Sequence, residues 1–204
     1  MNQEQVWDTI AEQWHQFRQI KFKPVYDFIE RYKLKKGKIL EVGCGNARNL
    51  IPFASAGFEC YGVDFSFNML QKAKEYAKKN HVRIRLIKAE MTHLPYDDGT
   101  FDYILHISSL HTLDSEEKRI MALKEAYKVI KKGGLMLLTV WNRIQLRFIF
   151  KSRDVNVAWG KDKVTNRYYH LFDYFELKRL IHKTDFKIRA SRPFGKNLIF
   201  VLKK

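Results

Sequence analysis

Apolar and polar positions along this chain switch repeatedly between a strand-like and a helix-like rhythm. Ile39, Leu40 and Val42 form a short apolar run that predicts a buried strand near 38–43, broken by Gly43-Cys44-Gly45. Leu50, Ile51 and Phe53 then predict an amphipathic helix beginning near Asn46 and ending near residue 55. A second apolar strand, 58–63, runs into Asp64. Ser66 suits an N-cap, and Met69, Leu70, Ala73, Tyr76 and Ala77 share one helical face, with Lys72, Lys74, Lys78 and Lys79 on the other. A short strand, 84–87, leads to Glu90, and the turn cluster 94–99 feeds a buried strand, 101–107. Asp114 and Glu117 have capping-box spacing before a helix that carries Ile120, Leu123, Ala126, Tyr127 and Ile130 and stops at Gly133-Gly134. Residues 135–140 make a fifth strand, a helix follows near 173–184, and strands near 186–192 and 197–203 close the chain as an antiparallel pair. Upstream, Val6, Ile10 and Trp14 at four-residue spacing, then Val25, Phe28, Ile29 and Tyr32 after Pro24, predict two leading helices within residues 4–33. Only 142–172 breaks the rhythm, as a basic and aromatic insertion. Strands alternating with helices argue for a mostly parallel three-layer α/β sheet.

A chain of 204 residues with no repeat, Pro-rich linker or low-complexity tract reads as one domain, 1–204, with a core of its own. Charge alters the picture more than length does. Thirty-eight Lys and Arg against 22 Asp and Glu leave +16, an excess that points to a polyanionic partner, nucleic acid ahead of an anionic membrane surface. A lysine-rich surface serving solubility alone is usually balanced by glutamate, and this one is not. Cys44 and Cys60 belong to no CxxC or Cys/His cluster, so they read as buried thiols in a reducing compartment, and no metal site is expected. The polar start and the lack of a bilayer-length apolar run predict a soluble, cytoplasmic protein.

The candidate chemistry lies at the first strand–turn–helix. Exposed N–H groups of a glycine turn and a helix N-terminus face a ligand, and a carboxylate at the tip of the next parallel strand, Asp64, suits the two hydroxyls of a ribose. Ala47 stands where a dinucleotide fold has its third glycine, and no Gly-Lys-Ser/Thr follows, so a pyrophosphate cradle fits poorly. Gly43 and Gly45 would let the chain pass close to the amino-acid portion of a nucleoside ligand.

Glu41-Val42-Gly43-Cys44-Gly45, Gly62-Val63-Asp64 and Lys88-Ala89-Glu90-Met91, in that order and spacing, resemble the class I S-adenosylmethionine-dependent methyltransferases. The resemblance implies a Rossmann-like three-layer sandwich with a seven-stranded, mostly parallel sheet and an antiparallel last strand. It implies S-adenosyl-L-methionine as cofactor, held by Glu41, Gly43, Gly45, Asn46, Asp64, Phe65, Glu90, Met91 and Ile107, and a lid formed by residues 1–33. Glu90 replaces the family's usual Asp at the adenine amino group, a longer reach by one methylene.

A second resemblance rests on Ser108-Ser109-Leu110-His111, Trp141, Asp154 through Trp159, and Arg167-Tyr168-Tyr169-His170-Leu171-Phe172. These are similar to the tRNA methyltransferases that esterify 5-carboxymethyluridine at the wobble position. That likeness implies His111, Arg167 and His170 as catalytic residues, and Arg18, Lys21, Trp141, Asp154, Trp159 and Tyr169 as substrate-binding residues. Lys21 and Arg18 compete for one basic position before Lys23-Pro24. It also implies tRNA and a small zinc-binding activator subunit as partners, the latter on the strand-three edge at 81–88 with Ile84 and Leu86. Thr112 replaces a second histidine, and 142–166 is shorter than the eukaryotic insertion. From the residues alone, Trp141 serves equally as a strand-end core aromatic and Asp154 as a turn cap. Two other functions stay open: a small-molecule methyltransferase acting on a quinone or lipid precursor, whose motifs 94–102 and 131–134 this chain shares, and a non-catalytic RNA-binding module.

Overall fold

A computed structural model describes residues 2–20, 22–160 and 165–204. Strand β1 (Lys38–Val42) lies at the middle of a seven-stranded sheet ordered β3-β2-β1-β4-β5-β9-β8. Its companions are β2 (Glu59–Asp64), β3 (Ile84–Lys88), β4 (Phe101–Ile107), β5 (Ile130–Trp141), β8 (Lys187–Arg192) and β9 (Asn197–Lys203). β1 pairs in parallel with β2 and β4, β2 with β3, and β4 with β5, while β9 runs antiparallel to both β5 and β8. The expected mostly parallel sheet with a reversed last strand is the one observed.

Helices cover both faces, which is why the central strands are apolar at consecutive positions rather than alternately. On one face Leu40 and Val42 of β1 join Ala122, Leu123, Ala126 and Val129 of α5 (Glu116–Val129) and Leu177, Leu180 and Ile181 of α6 (Tyr174–His182). On the other, Ile39 joins Val25 and Phe28 of α2 (Lys23–Arg31), Phe53 of α3 (Ile51–Ser55) and Ala73 of α4 (Phe67–Lys79). Helix α1 (Gln3–Phe17) docks on α4. Asp8 accepts from the Ser66 hydroxyl at 2.6 Å and the Asn68 N–H at 3.0 Å, while Ser66 caps α4 through the Met69 N–H as its sequence implied. No helix among the described residues is long and apolar enough to cross a membrane.

Three local expectations change. The helix expected from Asn46 begins only at Ile51, because Ala47 takes a left-handed backbone (φ 56°) and the chain turns through 45–50 first. A five-residue helix set back from the turn does not aim its N-terminus at a ligand. Ser115, not Asp114, caps α5 by accepting from the Lys118 N–H, and Asp114 pairs with the Lys118 ammonium at 2.8 Å. Gly133 and Gly134 lie within β5, bonded to the backbone of Lys204, and α5 has already ended at Val129.

The segment read as an irregular insertion contains a hairpin. β6 (Asp154–Trp159) and β7 (Thr165–His170) form a separate two-stranded antiparallel sheet, with Val157 opposite Arg167 and Val155 opposite Tyr169. Period-two side-chain direction puts Arg167 and Tyr169 on one face and Tyr168 and His170 on the other.

Candidate active site

The C-terminal ends of β1, β2 and β4, where the strand order reverses, open into a cavity of about 840 Å³. Gly43, Gly45, Asp64 and Met91 line it, as do His111, Trp141, Arg167 and Tyr169. Glu41, Phe65, Glu90, Ile107 and Arg18 border it as well.

Asp64 ends β2 with both carboxylate oxygens anchored. Oδ2 accepts the Gly45 N–H at 2.8 Å and Oδ1 the Ser66 N–H at 3.0 Å. Burial pushes its carboxyl up to about 6, against the bonds from Ser66 and Gly45 that favour the charged form. Glu41 is buried at 1% exposure. One oxygen accepts from the Asn49 amide at 2.6 Å, and the other has no partner. Burial raises Glu41 to about 8, opposed by Asn49 and Arg48. An orphaned buried carboxylate oxygen at a cavity wall suits a cationic ligand group such as an amino-acid ammonium. Carboxylates at the ends of two adjacent strands therefore fit the ammonium and ribose of a sulfonium nucleoside.

The glycines have a further reason to be glycines. Both have positive φ, 68° at Gly43 and 53° at Gly45. A Cβ on Gly43 would stand 2.5 Å from Ser109 Cβ, and one on Gly45 would stand 3.1 Å from the Trp14 ring. The turn is thus closed on by the protein's own β4 loop and by α1, contacts that spacing alone did not reveal. Ser109 fastens that loop by donating to the Val42 carbonyl at 2.7 Å, with His106 Nδ1 2.7 Å from the same hydroxyl. Ser108, just before it, holds a left-handed φ of 54°, the kind of local strain that clusters where loops line sites.

His111 lies beside the Trp141 and Tyr169 rings, with centroids 5.2 and 5.1 Å away. The Trp141 backbone N–H donates to its Nδ1 at 2.9 Å, and Nε2 is buried without a partner. An Nδ1 that accepts leaves the proton of a neutral imidazole on Nε2. Burial, then the nearby His106, His170 and Arg167, push His111 down to about 3, so the ring is neutral. Trp141 and Tyr169 stack at 4.3 Å with 27° between planes. Arg167 is 5% exposed, its Nε unsatisfied, and its guanidinium rests over Tyr169 at 5.3 Å and Trp159 at 4.6 Å.

Four of the expected site residues do not border the cavity. His170 points to the opposite face of β7, where its ring nitrogens lie 2.7 Å from Asp154 and 2.8 Å from Glu176; it ties the hairpin to α6. Asp154 is engaged by that ring and by the Tyr168 hydroxyl at 2.5 Å. Trp159 donates to Gln13 at 2.7 Å and backs Arg167 from behind. Asn46 is buried and donates to the Arg18 carbonyl at 3.0 Å, holding the chain after α1 rather than facing a ligand. Lys21 lies outside the described residues. Conversely, Trp7, Trp14 and Arg48 border the cavity without having been named as site residues, although Trp14 was read as an apolar position of the leading helix. A tryptophan pair on the α1 face next to Ile10 was a visible signal; nothing in sequence marked Arg48. Among the described residues no group of His, Cys, Asp and Glu could hold a metal ion.

A methyltransferase-domain family model matches residues 39–134. A protein of Encephalitozoon cuniculi (strain GB-M1) named as a methyltransferase is 29% identical over 87% of this chain and 83% of its own length. The demethylmenaquinone methyltransferase of Geobacillus sp. (strain WCH70) is 36% identical over 53% of this chain and 47% of its own length. The tRNA (carboxymethyluridine(34)-5-O)-methyltransferase of Arabidopsis thaliana is 32% identical over 67% of this chain, yet the chain spans only 31% of that protein. Among solved structures, a protein of Pyrococcus horikoshii OT3 shares the fold, with a TM-score of 0.74 at 22% identity over 89% of this chain and 88% of that one. The methyltransferase-domain match starts at β1 and runs to the glycines of β5, through the strands whose ends hold Glu41 and Asp64, and together with these relatives and the shared fold it supports a class I S-adenosylmethionine-dependent methyltransferase.

Proposed function

We propose that the chain methylates the carboxylate of a 5-carboxymethyl-type wobble uridine in a tRNA anticodon loop. One observation carries this reading: the histidine of the cavity wall is a fixed donor, not a base. His111 Nδ1 is occupied by the Trp141 N–H, and Nε2 carries the proton. A hydroxyl or ring acceptor must lose a proton on methylation, and His111 cannot take it. A carboxylate is already ionised at neutral pH and needs orientation and positive charge instead. The His111 Nε2–H and the Arg167 guanidinium offer both.

S-adenosylmethionine, when bound, supplies an electrophilic methyl group on a sulfonium sulfur. The residues of the chain align one acceptor oxygen with that methyl and keep water away. The Trp141–Tyr169 stack, its outer faces covered by Phe148 and Arg167, leaves the Trp141 edge as an aromatic surface against which a base splayed out of its loop packs. The +16 charge suits the phosphates of the stem, so activity should fall steeply with salt. A small zinc-binding activator belongs to the same reading. β3 is the sheet's edge strand, with Ile84 and Leu86 half-buried and Ile87 38% exposed, a surface to which a partner strand could add.

The deciding experiment supplies labelled cofactor and an anticodon stem-loop bearing 5-carboxymethyluridine, with and without the activator. Base-labile label in the RNA is the expected outcome, and its absence under both conditions sinks the reading. His111→Phe should lower kcat about tenfold, the scale of one hydrogen bond to a charged group, with cofactor affinity unchanged. At saturating cofactor and acceptor the wild-type kcat should stay flat from about pH 6 to 9, since no general base for the acceptor titrates there. A second reading, methylation of a quinone-type acceptor, is favoured by the identity to the Geobacillus enzyme. Salt-insensitive turnover of a small neutral acceptor would select it.

A further inference from the structure

The acceptor end of the cavity gathers more positive charge than its walls hold. Arg147 stands in a 3-10 turn, Leu146–Phe148, between β5 and β6, at the rim rather than in the cavity wall. Its guanidinium lies over Trp141 at 4.7 Å and over Phe148 at 4.3 Å. Trp141 stacks on Tyr169, and Arg167 lies over Tyr169, so Arg147 and Arg167 sit on the two rings of one stacked pair. Arg18, just past α1, is close enough that its charge bears on both guanidiniums. Among the described residues Arg18, Arg147 and Arg167 make no ion pair, as most arginines of the chain do not; what sets the three apart is that their charges bear on one another. Arg167 is also nine-tenths buried with its Nε unbonded. Like charges held together without a counterion repel, and a buried unpaired guanidinium is costly unless an anion from outside completes it.

We propose that Arg147 is a specificity-determining residue that closes, with Arg18 and Arg167, an anion clamp admitting an acidic acceptor and rejecting the matching amide or ester. This rests on the reading that the acceptor is an acid, and it adds a residue that is not among those lining the cavity. Stacking fixes the plane of the Arg147 guanidinium and leaves its edge N–H groups for a ligand. An amide would turn its own N–H groups toward these donors and bring no charge. The methyl ester left by the reaction is neutral too, so transfer itself cancels the attraction that held the acceptor and favours release.

The test uses small probes so that it does not depend on RNA. With S-adenosylhomocysteine bound, benzoate and benzamide are titrated separately, following tryptophan indole resonances. Wild-type protein is expected to bind benzoate about tenfold tighter than benzamide. Arg147→Met, which keeps an apolar stem over the rings, should cut that ratio at least threefold while leaving S-adenosylhomocysteine affinity and thermal midpoint in place. Arg147→Lys should fall between, since a point charge cannot stack as a plane does. A wild-type ratio near one, or an unchanged ratio in Arg147→Met, overturns the clamp. In parallel, Arg147→Met should raise KM for the carboxymethyluridine stem-loop with little change in kcat. If the stem-loop is never methylated, the uridine reading fails while the benzoate ratio still judges the clamp.

Discussion

Asp64→Ala is expected to weaken S-adenosylmethionine binding by about 100-fold, or roughly 3 kcal/mol, the scale of two hydrogen bonds to a charged acceptor. The N–H groups of Gly45 and Ser66 hold the carboxylate so that its free lone pairs point into the cavity. Alanine removes the ribose acceptor and also leaves the Gly45 turn without the bond that shapes it. Asp64→Asn keeps the size and one acceptor oxygen, and should lose about tenfold. Calorimetric titration measures both. Affinity of Asp64→Ala within about threefold of wild type would remove the ribose from this strand tip. Because burial raises Asp64 to about 6, wild-type affinity should also fall as pH drops through that value, where the acceptor becomes protonated.

The second large effect is a proton. Burial holds Glu41 at about 8 despite Asn49 and Arg48, so the free chain keeps it protonated at neutral pH. An ammonium ligand needs the charged form, so binding at pH 7 should release close to one proton, about 0.9 for a pKa of 8. Titrations in phosphate and in Tris, whose ionisation heats differ, count it directly. Equal heats in the two buffers would mean that Glu41 does not meet the ammonium. The sign for stability follows from the same shift. A folded value raised above the ordinary 4.5 means the free chain binds the extra proton when folded, and loses stability as pH rises from about 4.5 through about 8. Glu41→Gln carries no such proton, so its thermal midpoint should exceed wild type above pH 8. Its cofactor affinity should fall about 30-fold, near 2 kcal/mol, as expected for losing one charge-assisted bond.

These effects differ in how visible their causes were in the chain. The Asp64 role followed from a strand tip read by apolar run length, and the structure leaves it in the cavity wall. Glu41 could be located, but its protonation depends on Asn49 taking one oxygen and nothing taking the other. His170 was read from its string with Arg167, yet strand periodicity sends alternate members of that string to opposite faces, and Asp154, from the segment before it, pairs with His170 there. The alternation of Val155 and Val157 with polar neighbours was a strand signal. Four basic or aromatic residues in a row in the other arm, Arg167 to His170, obscured it.

What the sequence determined by itself is the order of the layers. Buried strand runs, capped helices such as the one after Ser66, and turn glycines are local features, each written within a few consecutive residues. The parallel sheet follows from them. What only the tertiary structure decided is what meets what across the cavity. Trp14 closes on Gly45 from 31 positions away, Trp141 sets the tautomer of His111, and Arg147 reaches the Tyr169 stack from a separate turn. Such contacts depend on burial and on partners distant in the chain, and those exist only once the sheet has brought its loops to one edge.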